Sequence, residues 1–169
     1  CDTIYKPHFK VIDLGGNIET HGKWSDEIDW KSIFYSSQEK PKPKPQENSI
    51  TLIPLAGRGS RFVKVGYKDP KPLIEVSGKP MIIQAANSLP NSQNHIFVTL
   101  KEHLENYPLE KTLKQEYQDA NIISIDEVTQ GQAITCSLGL KDADENSSLL
   151  IAATDNGMIY NHEKYQNLI

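Results

Sequence analysis

The residues best suited to chemistry follow the first apolar run of the chain. The stretch Leu55–Phe62 reads LAGRGSRF and carries two glycines, two arginines and a hydroxyl group. Gly57 and Gly59 would let backbone N–H groups approach an anion closely, and arginine grips phosphate oxygens through paired hydrogen bonds. This combination predicts a phosphate-binding loop. The alternative is an ordinary strand-to-helix turn with solvated arginines.

A lysine held between two prolines follows this loop, in the segment Asp69–Leu73 (DPKPL). Because each proline fixes its own φ, Lys71 would be presented with little conformational freedom. The alternative is a surface loop lysine, which is the usual environment of this residue type. A Gly-Lys-Pro element, Gly78–Pro80, comes next.

Regular elements must position these residues, and the apolar pattern predicts them in alternation. Alternation of this kind predicts a mainly parallel sheet covered on both faces by helices, with ligands at the carboxyl ends of the strands. Strands are predicted over Ile50–Leu55, His95–Leu100, Asn121–Ile125 and Leu149–Thr154. Helices are predicted over Pro80–Ser88, Lys101–Gln118 with an interruption at Pro108, and Gln130–Leu140.

The segment Ile53–Met81 resembles the signature of nucleoside-triphosphate:sugar-phosphate nucleotidyltransferases. In that family a Leu-Ala-Gly-rich loop ends in arginine and is followed by Pro-Lys-Pro and Gly-Lys-Pro elements. Arg58 stands where many members have a second glycine, and Ser60 replaces the commoner threonine. The resemblance covers about residues 50–169, and it implies an α/β fold of the Rossmann-like GT-A type, a three-layer α/β/α arrangement truncated at the C-terminus.

The resemblance also implies site residues. Arg61 and Lys71 would be the catalytic residues that neutralise charge on the phosphates. Within Thr129–Ala133 (TQGQA), Gly131 and Gln132 look like the family's Gly-x-Ala element, which faces the nucleotide base. The alternative is a helix N-terminus capped by Thr129. The expected nucleotide-binding residues are Leu55, Ala56, Gly57, Arg58, Gly59, Ser60, Gly131 and Gln132.

A carboxylate follows the last predicted strand, where similar enzymes hold Mg²⁺ against the triphosphate. Mg²⁺ prefers one or two carboxylates together with phosphate oxygens and water, so Asp155 is expected to be its ligand. The alternative is a simple Asp-Asn-Gly turn over residues 155–157. The five histidines show no metal-ligand spacing and are predicted to be structural or solvated.

Composition excludes several classes of partner. The net charge is -4 and both signs are interspersed, so neither nucleic acid nor an anionic membrane is an expected partner. The longest apolar stretch, residues 149–153, is far too short to span a bilayer. Cys1 and Cys136 show no metal-ligand spacing and are expected to be reduced, which predicts a cytoplasmic protein. The oligomeric state is not indicated.

The chain is predicted to have three parts. Residues 1–38 would be the remnant or tail of an upstream domain, residues 39–49 (EKPKPKPQENS) an extended linker, and residues 50–169 an incomplete nucleotide-binding domain. A short stretch within residues 1–34 resembles the end of a DEAD-like helicase domain. A competing interpretation is a remnant of a phosphatase-like domain. Neither predicts helicase or phosphatase activity.

Three functions compete at this point. The first is Mg²⁺-dependent transfer of a nucleotidyl group from a nucleoside triphosphate to a sugar phosphate, with release of pyrophosphate, for surface-polysaccharide precursors among other products. The second is a glycosyltransferase that uses a nucleotide sugar, although its usual Asp-x-Asp motif is missing from residues 154–156. The third is a non-catalytic nucleotide-binding remnant.

Overall fold

A computed structural model describes residues 44–167 of the chain. Of these residues, 44–159 belong to one compact unit and those from Tyr160 onward belong to a second. The strands are β1 (Gln46–Pro54), β2 (Glu75–Val76), β3 (Lys79–Pro80), β4 (Ser92–Leu100), β5 (Asn121–Ile125) and β6 (Ser148–Ile151). The helices are α1 (Ser60–Lys64), α2 (Met81–Asn87), α3 (Lys101–Asn106), α4 (Leu109–Glu116), α5 (Gln132–Gly139) and α6 (His162–Gln166), and a single 3₁₀ turn spans Lys71–Leu73.

Four parallel strands form the main sheet, in the order β5-β4-β1-β6. The chain builds outward from β1 through β4 to β5 and then crosses back to place β6 on the other side of β1. Ligands of open parallel sheets bind outside the carboxyl ends of the strands at such a reversal of strand order. The predicted α/β fold with a mainly parallel sheet is therefore confirmed, and it points to the carboxyl end of β1.

Successive residues of β1 supply the two layers of core. Ile53, which is fully buried, packs with Phe97 and with side chains of α2 and α4 on one face of the sheet. Leu52, also fully buried, packs on the other face with Val98 and with Cys136 of α5. Alternation of side chains along a strand gives this two-sided burial, which is why β1 reads as a continuous apolar run.

Helix α5 approaches the sheet unusually closely at Gly139. A Cβ atom at this position would lie 2.6 Å from Cγ2 of Val98 and 2.8 Å from Cδ1 of Leu52. Both neighbours belong to the buried layer beneath the helix, so neither can easily move aside. Only glycine fits here, and its absent side chain fixes the distance between α5 and the sheet.

The bounds of several elements differ from the predicted ones. Strand β1 begins at Gln46, inside the predicted linker, because Gln46 already pairs with Ser92 of β4. Strand β6 ends at Ile151, before the predicted end at Thr154. The predicted upstream domain remnant, residues 1–38, lies outside the described residues.

The last described helix, α6, belongs to the second unit. It begins after Asn161, whose side-chain oxygen accepts a hydrogen bond from the Lys164 N–H at 2.9 Å and so caps the helix. Within residues 44–167, no helix is both long and apolar enough to cross a lipid bilayer.

Candidate active site

A cleft of about 390 Å³ opens at the carboxyl ends of β1 and β6, beside the reversal of strand order. The loop after β1, the 3₁₀ turn, the start of α5 and the segment after β6 all contribute to its walls. Of the residues predicted from sequence, those that line the cleft are Leu55, Ala56, Gly57, Gly59, Ser60, Arg61, Lys71, Gly131, Gln132 and Asp155. Arg58 does not line it.

The loop after β1 begins inside the core and ends at a left-handed glycine. The Leu55 N–H donates to the Val98 carbonyl at 2.6 Å, so the loop continues the pairing of β1 with β4 before it turns. Gly59, with φ 60° and ψ 34°, then precedes the first turn of α1. A Cβ at Gly59 would lie 3.0 Å from Cβ of Lys71. Glycine is therefore required twice here, for backbone conformation and for contact with the Pro-Lys-Pro element.

Lys71 reaches the cleft from the start of the 3₁₀ turn. The flanking Pro70 and Pro72 are buried and fix the backbone on both sides, as the sequence suggested. The Lys71 ammonium forms an ion pair with Oδ2 of Asp155 at 2.7 Å. It also lies 5.8 Å from the centre of the Phe62 ring. The lysine side chain is 26% exposed and the aspartate side chain 41%, so the pair sits at the mouth of the cleft.

Asp155 follows β6 after a turn, since the strand ends before it. The Ala152 N–H still donates to the Leu52 carbonyl at 3.0 Å, and the Thr154 hydroxyl donates to the Pro54 carbonyl at 3.3 Å. These two bonds tie the segment after β6 to the end of β1. Asp155 consequently faces the loop of β1, although the two lie about a hundred residues apart in sequence.

The start of α5 forms another wall of the cleft. Gly131 precedes the helix with an extended backbone, φ 174°, and a Cβ there would meet nothing within 4 Å. The Thr129 hydroxyl donates to the Gly131 carbonyl at 2.8 Å and shares a 2.7 Å hydrogen bond with the Thr135 hydroxyl. Thr129 therefore does not cap the helix, in contrast to the alternative interpretation. Its hydrogen bonds instead stabilise the turn that leads to Gln132.

Arg58 lies on the other side of the loop. Its Nε forms an exposed ion pair with Oε1 of Glu102 at 3.3 Å, and its side chain lines a second, separate cavity of about 360 Å³ together with His103. His103 is buried, and its Nδ1 has no hydrogen-bond partner. Burial lowers the pKa of the His103 imidazole, and the Arg58 guanidinium lowers it further against the opposing effect of Glu102. The structure thus places Arg58 outside the cleft, and its expected role in nucleotide binding stays a prediction.

Sequence reasoning missed several residues that line the cleft. The set includes a ring, hydroxyl groups and an exposed apolar side chain: Phe62, Val128, Thr129, Thr135 and Thr154. Phe62 and Thr154 are adjacent in sequence to the predicted residues Arg61 and Asp155, and this adjacency could have identified them as lining residues. Val128 is 48% exposed, and nothing in its sequence context marked it.

The described residues contain no group of three or more histidine, cysteine, aspartate or glutamate side chains that could hold a metal ion. Among the described residues that line the cleft, Asp155 is the one that carries a carboxylate. Cys136 is a free, buried thiol, and burial raises its pKa.

Comparison with known proteins decides the family. The family model described as "MobA-like NTP transferase domain" matches residues 51–163, which include every residue that lines the cleft. The chain belongs to this family. Within the MobA-like domain, the matched region begins in β1 and runs through the sheet, both core layers and the segment after β6. No curated protein matches the chain.

Solved structures share the fold of this MobA-like domain. One is the nucleoside-diphosphate-sugar pyrophosphorylase from Vibrio cholerae, with 23% identity and a TM-score of 0.55 over 69% of this chain and 52% of that one. Another is the inositol-1-phosphate CTP transferase from T. maritima, with 17% identity and a TM-score of 0.55 over 66% of this chain and 45% of that one. The chain thus spans about half the length of the structures it matches.

Proposed function

We propose that this chain binds a nucleoside triphosphate with Mg²⁺ in the cleft and transfers its nucleotidyl group to a sugar phosphate, releasing pyrophosphate. The observation that carries the proposal is the convergence of a glycine loop, two cationic side chains and a carboxylate at one end of the sheet. Membership of the MobA-like NTP transferase family supports nucleotidyl transfer in general. The sugar pyrophosphorylase fold of the Vibrio cholerae protein supports a sugar phosphate as the acceptor.

The charges of the cleft suit a triphosphate. Arg61 is exposed at the cleft and has no ion-pair partner among the described residues, so its guanidinium is available to an anion. Lys71 is paired with Asp155 at 2.7 Å in the free protein, and a triphosphate would compete for the ammonium with several negative oxygens. Charge-assisted hydrogen bonds of this kind contribute about 1.5–3 kcal/mol each.

The Asp155 carboxylate is a suitable ligand for Mg²⁺, as its contact with the Lys71 ammonium indicates. Its carboxylate attracts a cation, the Lys71 ammonium, and remains partly exposed toward the cleft. Mg²⁺ is usually held by one or two carboxylates together with substrate phosphates and water, so a single aspartate suffices as the protein ligand. Asp155 would hold the ion, which would supply further positive charge at the phosphates when bound.

The reaction is a displacement at phosphorus. An oxygen of the acceptor phosphate forms a bond to the α-phosphorus, the bond from that phosphorus to the α,β-bridging oxygen breaks, and pyrophosphate leaves with the negative charge. Such reactions depend on positioning and charge stabilisation more than on covalent participation of the protein. Arg61 and Lys71 would therefore stabilise the charge that develops on the departing pyrophosphate.

The opposite wall of the cleft would receive the nucleoside. Gly131 leaves open space where a side chain would otherwise stand, and Gln132 carries an amide that can both donate and accept hydrogen bonds. The edge of a nucleotide base presents hydrogen-bond donors and acceptors together, so the Gln132 amide is the group that would recognise the base.

The first test is calorimetric titration of the full chain with each of the four nucleoside triphosphates, with and without Mg²⁺. Saturable binding of one triphosphate that strengthens with Mg²⁺ supports the proposal. Preference for a nucleotide sugar over every triphosphate favours a glycosyltransferase instead, and no binding by the folded chain refutes nucleotide binding. Pyrophosphate release on addition of a sugar 1-phosphate then tests the transfer step separately.

Two arginines of the same loop provide a matched pair of variants. Arg61→Ala removes a cation from the cleft, and Arg58→Ala removes one that points to Glu102. We expect Arg61→Ala to weaken triphosphate binding about tenfold or more and Arg58→Ala to weaken it less than about threefold. Equal losses would mean that only the overall charge of the loop matters.

A further inference from the structure

The aromatic ring of Phe62 stands where the loop after β1 meets the Pro-Lys-Pro element. Phe62 lies in α1, is half-buried and lines the cleft. The Lys71 ammonium is positioned over the ring, 5.8 Å from its centre. A cation at about this distance is attracted by the negative face of an aromatic ring.

The orientation of the ring does not depend on the lysine. The rings of Tyr67 and Phe62 pack in a T-shaped arrangement, with the ring centres 5.7 Å apart and the planes at 73°. The Tyr67 N–H also donates to the Phe62 carbonyl at 3.1 Å. This edge-to-face packing is a favoured aromatic geometry, so the ring is held in place by the turn that follows α1.

Lys71 therefore has two anchors of different kinds. One is the charged carboxylate of Asp155 at 2.7 Å, and the other is the uncharged ring of Phe62. A cation that binds the Asp155 carboxylate competes with the Lys71 ammonium for it. Such a cation leaves the contact between the ammonium and the Phe62 ring in place.

We propose that Phe62 is a positioning residue that holds the Lys71 ammonium in the cleft when Asp155 is engaged elsewhere. The importance of this position for binding rests on the function proposed above. The ring keeps the lysine beside the phosphate loop without neutralising its charge, so the ammonium remains free to bind phosphate oxygens.

The expected size of the effect follows from the strength of such contacts. Cation–π attraction at partly exposed sites corresponds to roughly a 2- to 5-fold change in affinity. Phe62→Leu keeps an apolar side chain but removes the ring, and should weaken triphosphate binding by that factor. Phe62→Tyr keeps the ring and should restore binding.

A double-mutant cycle separates positioning from a merely structural role. Lys71→Met removes the charge and keeps much of the length of the side chain. In the Lys71→Met background, Phe62→Leu should no longer change triphosphate affinity, because the cation on which the ring acts is absent. Val63→Ala, on the same helix but outside the cleft, is the control and should bind as the unaltered chain does. An equal loss from Phe62→Leu in both backgrounds would overturn the proposal.

A second measurement needs no nucleotide. The ε-methylene protons of Lys71 should resonate upfield in the NMR spectrum of the free chain because the ammonium group next to them lies over the ring. That shift should disappear in Phe62→Leu and persist in Phe62→Tyr. An unshifted signal in the unaltered chain would refute the contact even if triphosphate binds, whereas a shifted signal with no triphosphate binding would refute the proposed function alone.

Discussion

Substituting Gly59 by alanine tests how tightly the loop after β1 is packed against Lys71. The new residue would occupy a left-handed backbone conformation, φ 60° and ψ 34°. That conformation costs an L-residue roughly 1–2 kcal/mol. The added Cβ would also lie 3.0 Å from the Lys71 Cβ, a stem atom that cannot rotate away. With the cost of crowding included, we expect Gly59→Ala to lower the free energy of unfolding by about 2–4 kcal/mol.

Two other glycines separate these contributions. Gly66 has φ +94° but open space around its Cβ direction, so Gly66→Ala carries only the backbone cost, roughly 1–2 kcal/mol. Gly57 has open space and no positive φ, so Gly57→Ala should change the free energy of unfolding by less than about 0.5 kcal/mol. The three variants thus form a graded series from one substitution type.

Urea denaturation followed by circular dichroism measures the series, and thermal melts check it. For a chain of this size, each kcal/mol corresponds to about 2–4 °C in Tm. If Gly59→Ala and Gly66→Ala lose equal stability, the contact with Lys71 contributes nothing. If Gly59→Ala matches Gly57→Ala, both the left-handed conformation and the packing described for the loop are wrong.

Three further outcomes are expected. Arg61→Ala should leave the free energy of unfolding within about 0.5 kcal/mol of the unaltered chain, since Arg61 has no ion-pair partner among the described residues, while calorimetry shows weakened triphosphate binding. Asp155→Asn should abolish the Mg²⁺ dependence of that binding yet cost less than about 1 kcal/mol of stability, because its ion pair is partly exposed; persistent Mg²⁺ dependence would exclude Asp155 as the ligand. The folded-state pKa of His103 is lowered from 6.5, so the unfolded chain binds more protons and stability should fall as pH drops below about 6.5; His103→Leu should flatten that slope in denaturation curves collected between pH 5 and 7.5.

Local pattern was enough to predict most of the fold. The bounds of β5 (Asn121–Ile125) were predicted as observed, and the helical stretch after β4 does break at Pro108. These elements combine clear apolar periodicity with strong breakers, so sequence-local forces determine them. Strand β6 was predicted to end too late because the apolar run continues through Ala153, whereas the pairing of β6 with β1 ends at Ile151.

The arrangement within the site was harder to predict. Arg58 and Arg61 are three residues apart, yet only the second lines the cleft, because Gly59 turns the backbone between them. Sequence order does not give the direction of a side chain in a loop. The Lys71–Asp155 ion pair likewise depends on the pairing of β1 with β6, a long-range contact that no local pattern encodes.

The close approach of α5 to the sheet at Gly139 has a consequence for the cleft, which lies at the other end of the same helix. From Gly139 to Gln132, which lines the cleft, the helix rises only about 10 Å and behaves as one short rigid rod. A methyl group at position 139 would push this end of α5 away from Val98 and Leu52, and the whole helix would tilt as a result. The position of α5 at the cleft is thus set partly by Gly139, a residue that does not itself line the cleft.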